Sequence, residues 1–217
     1  MGQVIVTLDG VDVTAYCVSG NWTRRLNRPS TAQVRVPMEL VTANVGTALK
    51  IEALVGTSYA IVHHGRVLLV ETDTAEDGGY TVYNSTDPME LWQWRPVRDD
   101  TGDFSVPTII DDYATGPQII EDALYNSEGD STAQGNPGLT PPSAAEGPTF
   151  LDFGTFAGGG VNLTGAPTDW PMTIAELSSL LISTGKLDLV ITPTDPGGDI
   201  MGTIDGYNGN FGTDLSG

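Results

Sequence analysis

Basic residues are scarce in this chain. Nine Lys and Arg stand against 28 Asp and Glu over 217 residues, a formal net charge of −19. Gripping nucleic acid needs clustered Lys and Arg at the phosphates, so stable nucleic-acid binding is excluded. Cysteine is nearly absent. Cys17 stands alone, so no intrachain disulfide can form, which fits a chain assembled inside a cell. There are two histidines, the adjacent His63 and His64. Neighbours on a strand point to opposite faces, and one cysteine does not complete a ligand set, so no metal is expected. No apolar run approaches the ~20 residues that span a bilayer. Met1 to Leu8 lacks a basic start followed by an apolar stretch, so no signal peptide is expected. Sequons at Asn21, Asn84 and Asn162 therefore carry no weight.

The acids are unevenly placed. Residues 1–98 hold eight of the nine basic residues and ten acids; residues 99–217 hold the ninth and eighteen acids. Such a surface repels DNA, and it equally serves plain solubility.

What is abundant is Gly (27) and Pro (14), which points to many turns and a β-rich fold. Val4, Val6 and Leu8 alternate with Ile5 and Thr7, and Asp9-Gly10 supplies a tight-turn signal before Val11 and Val13. Thr31 to Pro37 alternates through Val34 and Val36. Leu49, Ile51 and Ala53 alternate with Lys50 and Glu52. Gly56-Thr57 turns the chain into Tyr59 to His63, and Arg66 to Thr72 reads as a further strand. Asp77-Gly78-Gly79 is a second hairpin signal before Tyr80 to Tyr83. Six to eight short strands at regular spacing predict a closed or nearly closed barrel over residues 1–100.

The pattern changes near Pro107. Residues 101–127 read as a helical connector: a start at Ser105 to Ile110, a break at Gly116-Pro117, then a helix to about Asn126 with Ile119, Ile120, Ala123 and Leu124 on one face. Residues 128–149 contain four Gly, four Pro and a single large aliphatic, Leu139. The stretch 128–170 therefore reads as an exposed insertion or arm. Residues 171–217 read as a helix plus a β-hairpin. Thr173 and Glu176 fit a capping box, Met172 and Leu177 a hydrophobic staple. Ile174, Leu177, Leu180 and Leu181 form the buried stripe, and Gly185 is a natural stop. Strands follow through Leu187 to Ile191 and Ile200 to Ile204, joined at Asp195 to Asp199. The fold class predicted is mainly β with an α+β part.

Constellations that carry chemistry are missing. There is no Gly-Lys-Ser/Thr loop and no GxSxG. Gly206, Gly209 and Gly212 do not make the dinucleotide fingerprint. Cys17 has no obvious basic neighbour and reads as a small buried thiol. Asp99-Asp100 with Asp103, Asp111-Asp112 and Glu121-Asp122 are adjacent pairs, and a glycosidase needs carboxylates facing each other across a sugar. Ala75 spoils a calcium loop at Asp73 to Gly78. No catalytic, cofactor-binding or metal-binding residue is predicted, and the chain is not expected to be an enzyme.

Three stretches together resemble one family. Asp9 to Thr14 followed by Thr23-Arg24-Arg25-Leu26-Asn27-Arg28-Pro29-Ser30-Thr31-Ala32 is similar to the opening of minor tail and baseplate-hub proteins from phages of actinobacteria. Trp94-Arg95-Pro96-Val97-Arg98-Asp99, with Tyr113 to Ile119, is similar to the junction after their first barrel. Thr173 to Leu177 through Gly185 is similar to their second helical segment. The resemblance covers most of residues 4–194 and is weakest over 128–170. It implies a tail-tube-like barrel followed by an α+β region, in a virion protein of the tail tip assembled in the host cytoplasm. It implies a homotrimer that closes the tail tube and opens for the tape measure protein and DNA. Its partners would be distal tail or tail tube proteins and other tail-tip proteins. Such hubs carry two barrels per chain. This sequence supplies the first, so either the chain is partial or a second polypeptide supplies the other. In such a channel Asp99, Asp100, Asp103, Asp111 and Asp112 are the acids expected to face the axis, where carboxylates let DNA slide without sticking.

Two other functions compete. A tail-associated carbohydrate-binding module would use Trp22, Trp92, Trp94 and Trp170 as stacking platforms, with Trp92 and Trp94 on one strand face; exposed coplanar indoles would favour it. A cell-wall hydrolase would need a deep cleft with two facing carboxylates.

Overall fold

The computed structural model describes residues 4–38, 43–73, 79–97, 115–128, 150–156 and 171–208, without the side chains of Asp122 and residues 125–128. The chain is mainly β. It divides into two compact units, residues 1–90 with 193–202, and residues 91–192 with 203–217.

The first unit is a curled half-barrel. Its strands are β1 (Val4–Leu8), β2 (Val11–Asp12), β3 (Ser19–Thr23), β4 (Thr31–Pro37), β5 (Ala48–Val55), β6 (Ser58–Asp73) and β7 (Tyr80–Thr86). They form one sheet in the order β2-β1-β5-β6-β7-β4-β3. Every neighbouring pair is antiparallel. Asp9 (φ 49) and Gly10 (φ 79) make the two-residue turn between β1 and β2; this tight hairpin needs positive φ at both positions, which Asp tolerates and Gly favours. The alternation in β4 is plain: Ala32, Val34 and Val36 are buried. They join Val6, Leu8, Leu49, Ile51, Val67 and Tyr83 in one core.

Two expectations are revised here. The expected closed or nearly closed barrel takes the form of a curled half-barrel: among the described residues β2 and β3 are the outer strands and do not pair. The strands expected at Tyr59–His63 and Arg66–Thr72 are one continuous strand, β6. Register shifts at Ile51/Glu52 and Val67/Leu69 let it bend without breaking. Gly65 sits at its middle, where an added Cβ would collide with the Thr86 carbonyl of β7.

The second unit holds α1 (Gly116–Glu128), β8 (Leu151–Phe156), α2 (Ile174–Ser183), β9 (Asp188–Pro193) and β10 (Gly202–Tyr207), the last residue of β9 and the first of β10 belonging to the barrel unit. Ile119, Ile120, Ala123 and Leu124 of α1 are buried, as their spacing predicts. The capping box is formed: Glu176 N–H donates to Thr173 Oγ1 at 3.2 Å, and Thr173 N–H donates to Glu176 Oε2 at 2.7 Å. The three strands pair in the order β8-β10-β9. β8 falls inside the 128–170 stretch read as an arm. Its Leu-Asp-Phe-Gly-Thr-Phe has too weak an alternation to announce itself beside so many Gly and Pro. Residues 129–149, and the start expected at Ser105 to Ile110, lie outside the described residues.

Candidate interaction surface

The open seam of the half-barrel is built from the sheet's own alternation. Gly20 lies across from Val34, and Trp22 across from Ala32. Val34 and Ala32 face the core, so Gly20 and Trp22 are on the core-facing side too. Yet every residue of β3 is exposed, because among the described residues β3 pairs only with β4. The result is a groove of about 260 Å³. Val4 and Val6 of β1 form one wall, Cys17 and Trp22 the other, and Val34 and Ile51 lie beneath. Burial, then the charge of Asp12, pushes the Cys17 thiol up to about 11. At neutral pH it is a thiol and not a nucleophilic thiolate. Immediately after β3, Arg24, Arg25 and Arg28 are all exposed. The Arg25 N–H donates to Ser30 Oγ at 3.2 Å and helps fix this loop.

On the opposite face of the barrel wall the residues are polar. Lys50 and His64 are cross-strand partners, as are Ala48 and Arg66. The loop between β9 and β10 belongs to this barrel unit. Lys50 Nζ meets Asp195 Oδ2 at 2.6 Å, and Arg66 Nη2 meets Asp199 Oδ1 at 2.6 Å. His64 Nδ1 lies 2.7 Å from the Thr194 carbonyl oxygen. The Lys50 partner and charge lower the Asp195 pKa, against the opposing effect of burial. A polar cavity of about 240 Å³ remains between the loop and β1, β5 and β6.

One pairing invites a catalytic reading. His63 Nε2 and Ser85 Oγ are 2.9 Å apart. Both residues are buried, and burial followed by the His64 charge lowers His63 to about 4. A ring so reluctant to take a proton is a poor base at neutral pH. The carboxylate in this neighbourhood of the chain, Asp87, accepts the Ser30 and Met89 N–H groups at 2.7 and 3.1 Å. The pair reads as a satisfied core contact. Among the described residues no group of His, Cys, Asp and Glu is arranged to hold a metal ion, and no helix is long and apolar enough to cross a membrane.

The fold is shared with solved phage tail proteins. The 43 kDa tail protein of prophage MuSo2 from Shewanella oneidensis superimposes with a TM-score of 0.52 at 11% identity, covering 94% of this chain and 54% of that one. A tail protein from Neisseria meningitidis MC58 gives 0.50 at 9% identity, covering 93% and 49%. The E. coli c3393 protein gives 0.55 at 10% identity, covering 94% and 48%. That protein is described as a component of the type VI secretion system with structural similarity to the T4 tail proteins gp27 and gp5. The chain spans about half the length of each. No family model matches the sequence, and no curated protein matches it.

The acids picked from the sequence, Asp99, Asp100, Asp103, Asp111 and Asp112, lie outside the described residues, as does Trp170. The histidines diverge as strand neighbours must, His63 toward Ser85 and His64 toward Thr194. Trp92 and Trp94 do not share a strand face; they sit in a 3-10 helix, Pro88–Trp94. Trp92 is 1% exposed and Trp94 is 64% exposed, so they form no stacking pair, which counts against sugar binding. The seam itself escaped the sequence reading. The cue was Trp22 beside Gly20 on a strand with no charged residue.

Proposed function

We propose that the chain is a structural component of a phage tail that works by assembling with other polypeptides. The observation that carries this is the fold likeness over 94% of the chain to the MuSo2 tail protein. A half-barrel with an unpaired outer strand suits that role, since such edges invite another chain. The finer reading is a baseplate hub at the tail tip. It would be a homotrimer closing the end of the tail tube, with distal tail or tail tube proteins, other tail-tip proteins and the tape measure protein as partners, and its channel would open for the tape measure protein and DNA. Asp99, Asp100, Asp103, Asp111 and Asp112 would then face the axis.

Electron microscopy of virions labelled with antibodies against this chain tests both levels. Label confined to the tail tip is the expected result, and a reconstruction there should contain three copies. Label on the capsid, or none on purified virions, would sink the proposal. Label along the tail shaft would remove the hub and leave the tail.

A further inference from the structure

We propose that the seam beside β3 is a docking groove for one extended strand of another polypeptide, apolar at alternate positions and carrying carboxylates at its N-terminal end. This deepens the assembly reading above and rests on it.

Strand parity gives the direction. Seven strands pair antiparallel throughout, so the outer strands β2 and β3 run the same way. One added strand can therefore run antiparallel to both and fill the gap between them. Among the described residues no strand pairs with the outer edge of β3, so its N–H and C=O groups there are the kind that strand addition uses. Natural edges are usually blunted by Lys or Pro; Ser19-Gly20-Asn21-Trp22-Thr23 carries neither. The apolar groove supplies the pocket for alternate side chains, with Val34 and Ile51 beneath.

Charge chooses the occupant. Arg24, Arg25 and Arg28 are three of the chain's nine basic residues within five positions, and they stand at the C-terminal end of β3. At the other end, the charge of Asp12 acts on Cys17 in the groove wall. The groove lining itself is uncharged, and β3 is flanked by Asp12 near one end and the arginines at the other. A strand antiparallel to β3 brings its N-terminus to the arginines, so carboxylates belong there and are repelled from the other end. Among the described residues, the chain's own outer strands do not fit. β2 has two residues. β8 and β9 turn Leu151, Leu189 and Ile191 into buried positions of their own sheet. A separate polypeptide is the better occupant.

The test uses the full chain and three dye-labelled peptides: Asp-Asp-Thr-Val-Thr-Val-Thr, the same with Lys-Lys in place of Asp-Asp, and Thr-Val-Thr-Val-Thr-Asp-Asp. Binding is read by fluorescence anisotropy and occupancy by the alkylation rate of Cys17, with sedimentation velocity run alongside. The first peptide should saturate, slow alkylation, and bind about tenfold tighter than the other two. The triple variant Arg24→Ala, Arg25→Ala, Arg28→Ala, all at exposed positions, should lose that preference with the fold intact. No saturable binding of the first peptide, or equal binding of all three, overturns the proposal. Self-association that protects Cys17 without peptide also overturns it, since a second copy would then be the occupant. Antibody label absent from virions would sink the tail reading while leaving this binding result unaltered.

Discussion

The Nδ1 of His64 lies 2.7 Å from the Thr194 carbonyl oxygen. A carbonyl only accepts, so the ring must donate from Nδ1. Burial is the largest influence on this ring and lowers its pKa; Lys50 and Arg66 lower it further, while the Thr194 carbonyl and Asp195 raise it. Asp199, Thr7 and Asp9 complete the surroundings of the adjoining cavity. With the ring buried and its pKa depressed, the released loop takes up a proton more readily than the anchored one. The anchoring is fully present above the ordinary value of 6.5 and weakens as pH falls below it. Amide exchange at residues 194–201, corrected for intrinsic rates, should therefore speed up as pH falls below the ordinary value of 6.5. In His64→Gln that acceleration should disappear. An acceleration of equal size in the variant would assign the effect to other groups.

Two buried groups of the half-barrel titrate with opposite sign. Burial, opposed by the Ser30 and Met89 N–H groups, raises Asp87 from 3.8 to about 6. Its contribution to stability is complete below 3.8 and is lost as pH rises through 6. His63 is lowered from 6.5 to about 4, so its contribution is complete above 6.5 and is lost as pH falls through 4. Each effect is on the order of 3 kcal/mol. Urea unfolding between pH 4 and 6 should therefore show little net slope from this pair in the unmodified chain. Asp87→Asn should become more stable as pH rises, and His63→Gln less stable. Parallel slopes in the two variants would contradict this account.

Gly65 illustrates what the sequence conceals. The two strands expected at Tyr59–His63 and Arg66–Thr72 left Gly65 in the gap between them. Its purpose is long-range: β7 passes so close that a Cβ at Gly65 would meet the Thr86 carbonyl. Gly65→Ala should destabilise the half-barrel by about 1–3 kcal/mol or more, because backbone cannot yield as a side chain does. Thermal melting measures it, and an unchanged midpoint would contradict the close approach.

Local signals were legible because they are local. The Asp9-Gly10 hairpin, the Ala32/Val34/Val36 alternation and the α1 stripe each depend on residues within a turn or two, and each stands where its pattern put it. The open seam was not legible. Whether a sheet closes depends on its curvature and on how its first and last strands meet, and β2 and β3 have no pattern that records their not pairing. The Lys50–Asp195 pair joins residues 145 positions apart, and nothing in either neighbourhood of the sequence names the other. The tryptophans misled for the same reason. A two-residue spacing suits a strand, yet Pro88 opens a 3-10 helix that buries Trp92 and exposes Trp94.

The start of α2 offers the sharpest test of a local signal. Thr173 is extended (φ −87, ψ 164) and its hydroxyl accepts the Glu176 N–H, while the Glu176 carboxylate accepts the Thr173 N–H. Both bonds satisfy donors that the first helical turn leaves without intrahelical partners. Thr173 is also tied to the chain beside it: it bridges Pro96, and the neighbouring Ile174 N–H donates to the Arg95 carbonyl at 2.8 Å. These backbone bonds survive substitution, so the side chain can be tested without moving the strand-like entry. Thr173→Ala should cost about 1 kcal/mol in urea unfolding, and Thr173→Ser only a few tenths. Glu176→Ala should cost a smaller amount, because its carboxylate sits at an exposed helix N-terminus where salt screens it. The double variant should lose less than the sum of the two, since each side chain holds the other's backbone partner in place. Strict additivity would mean the two bonds form independently, and no loss in Thr173→Ala would mean that packing of Ile174 and Leu177 alone fixes where the helix begins.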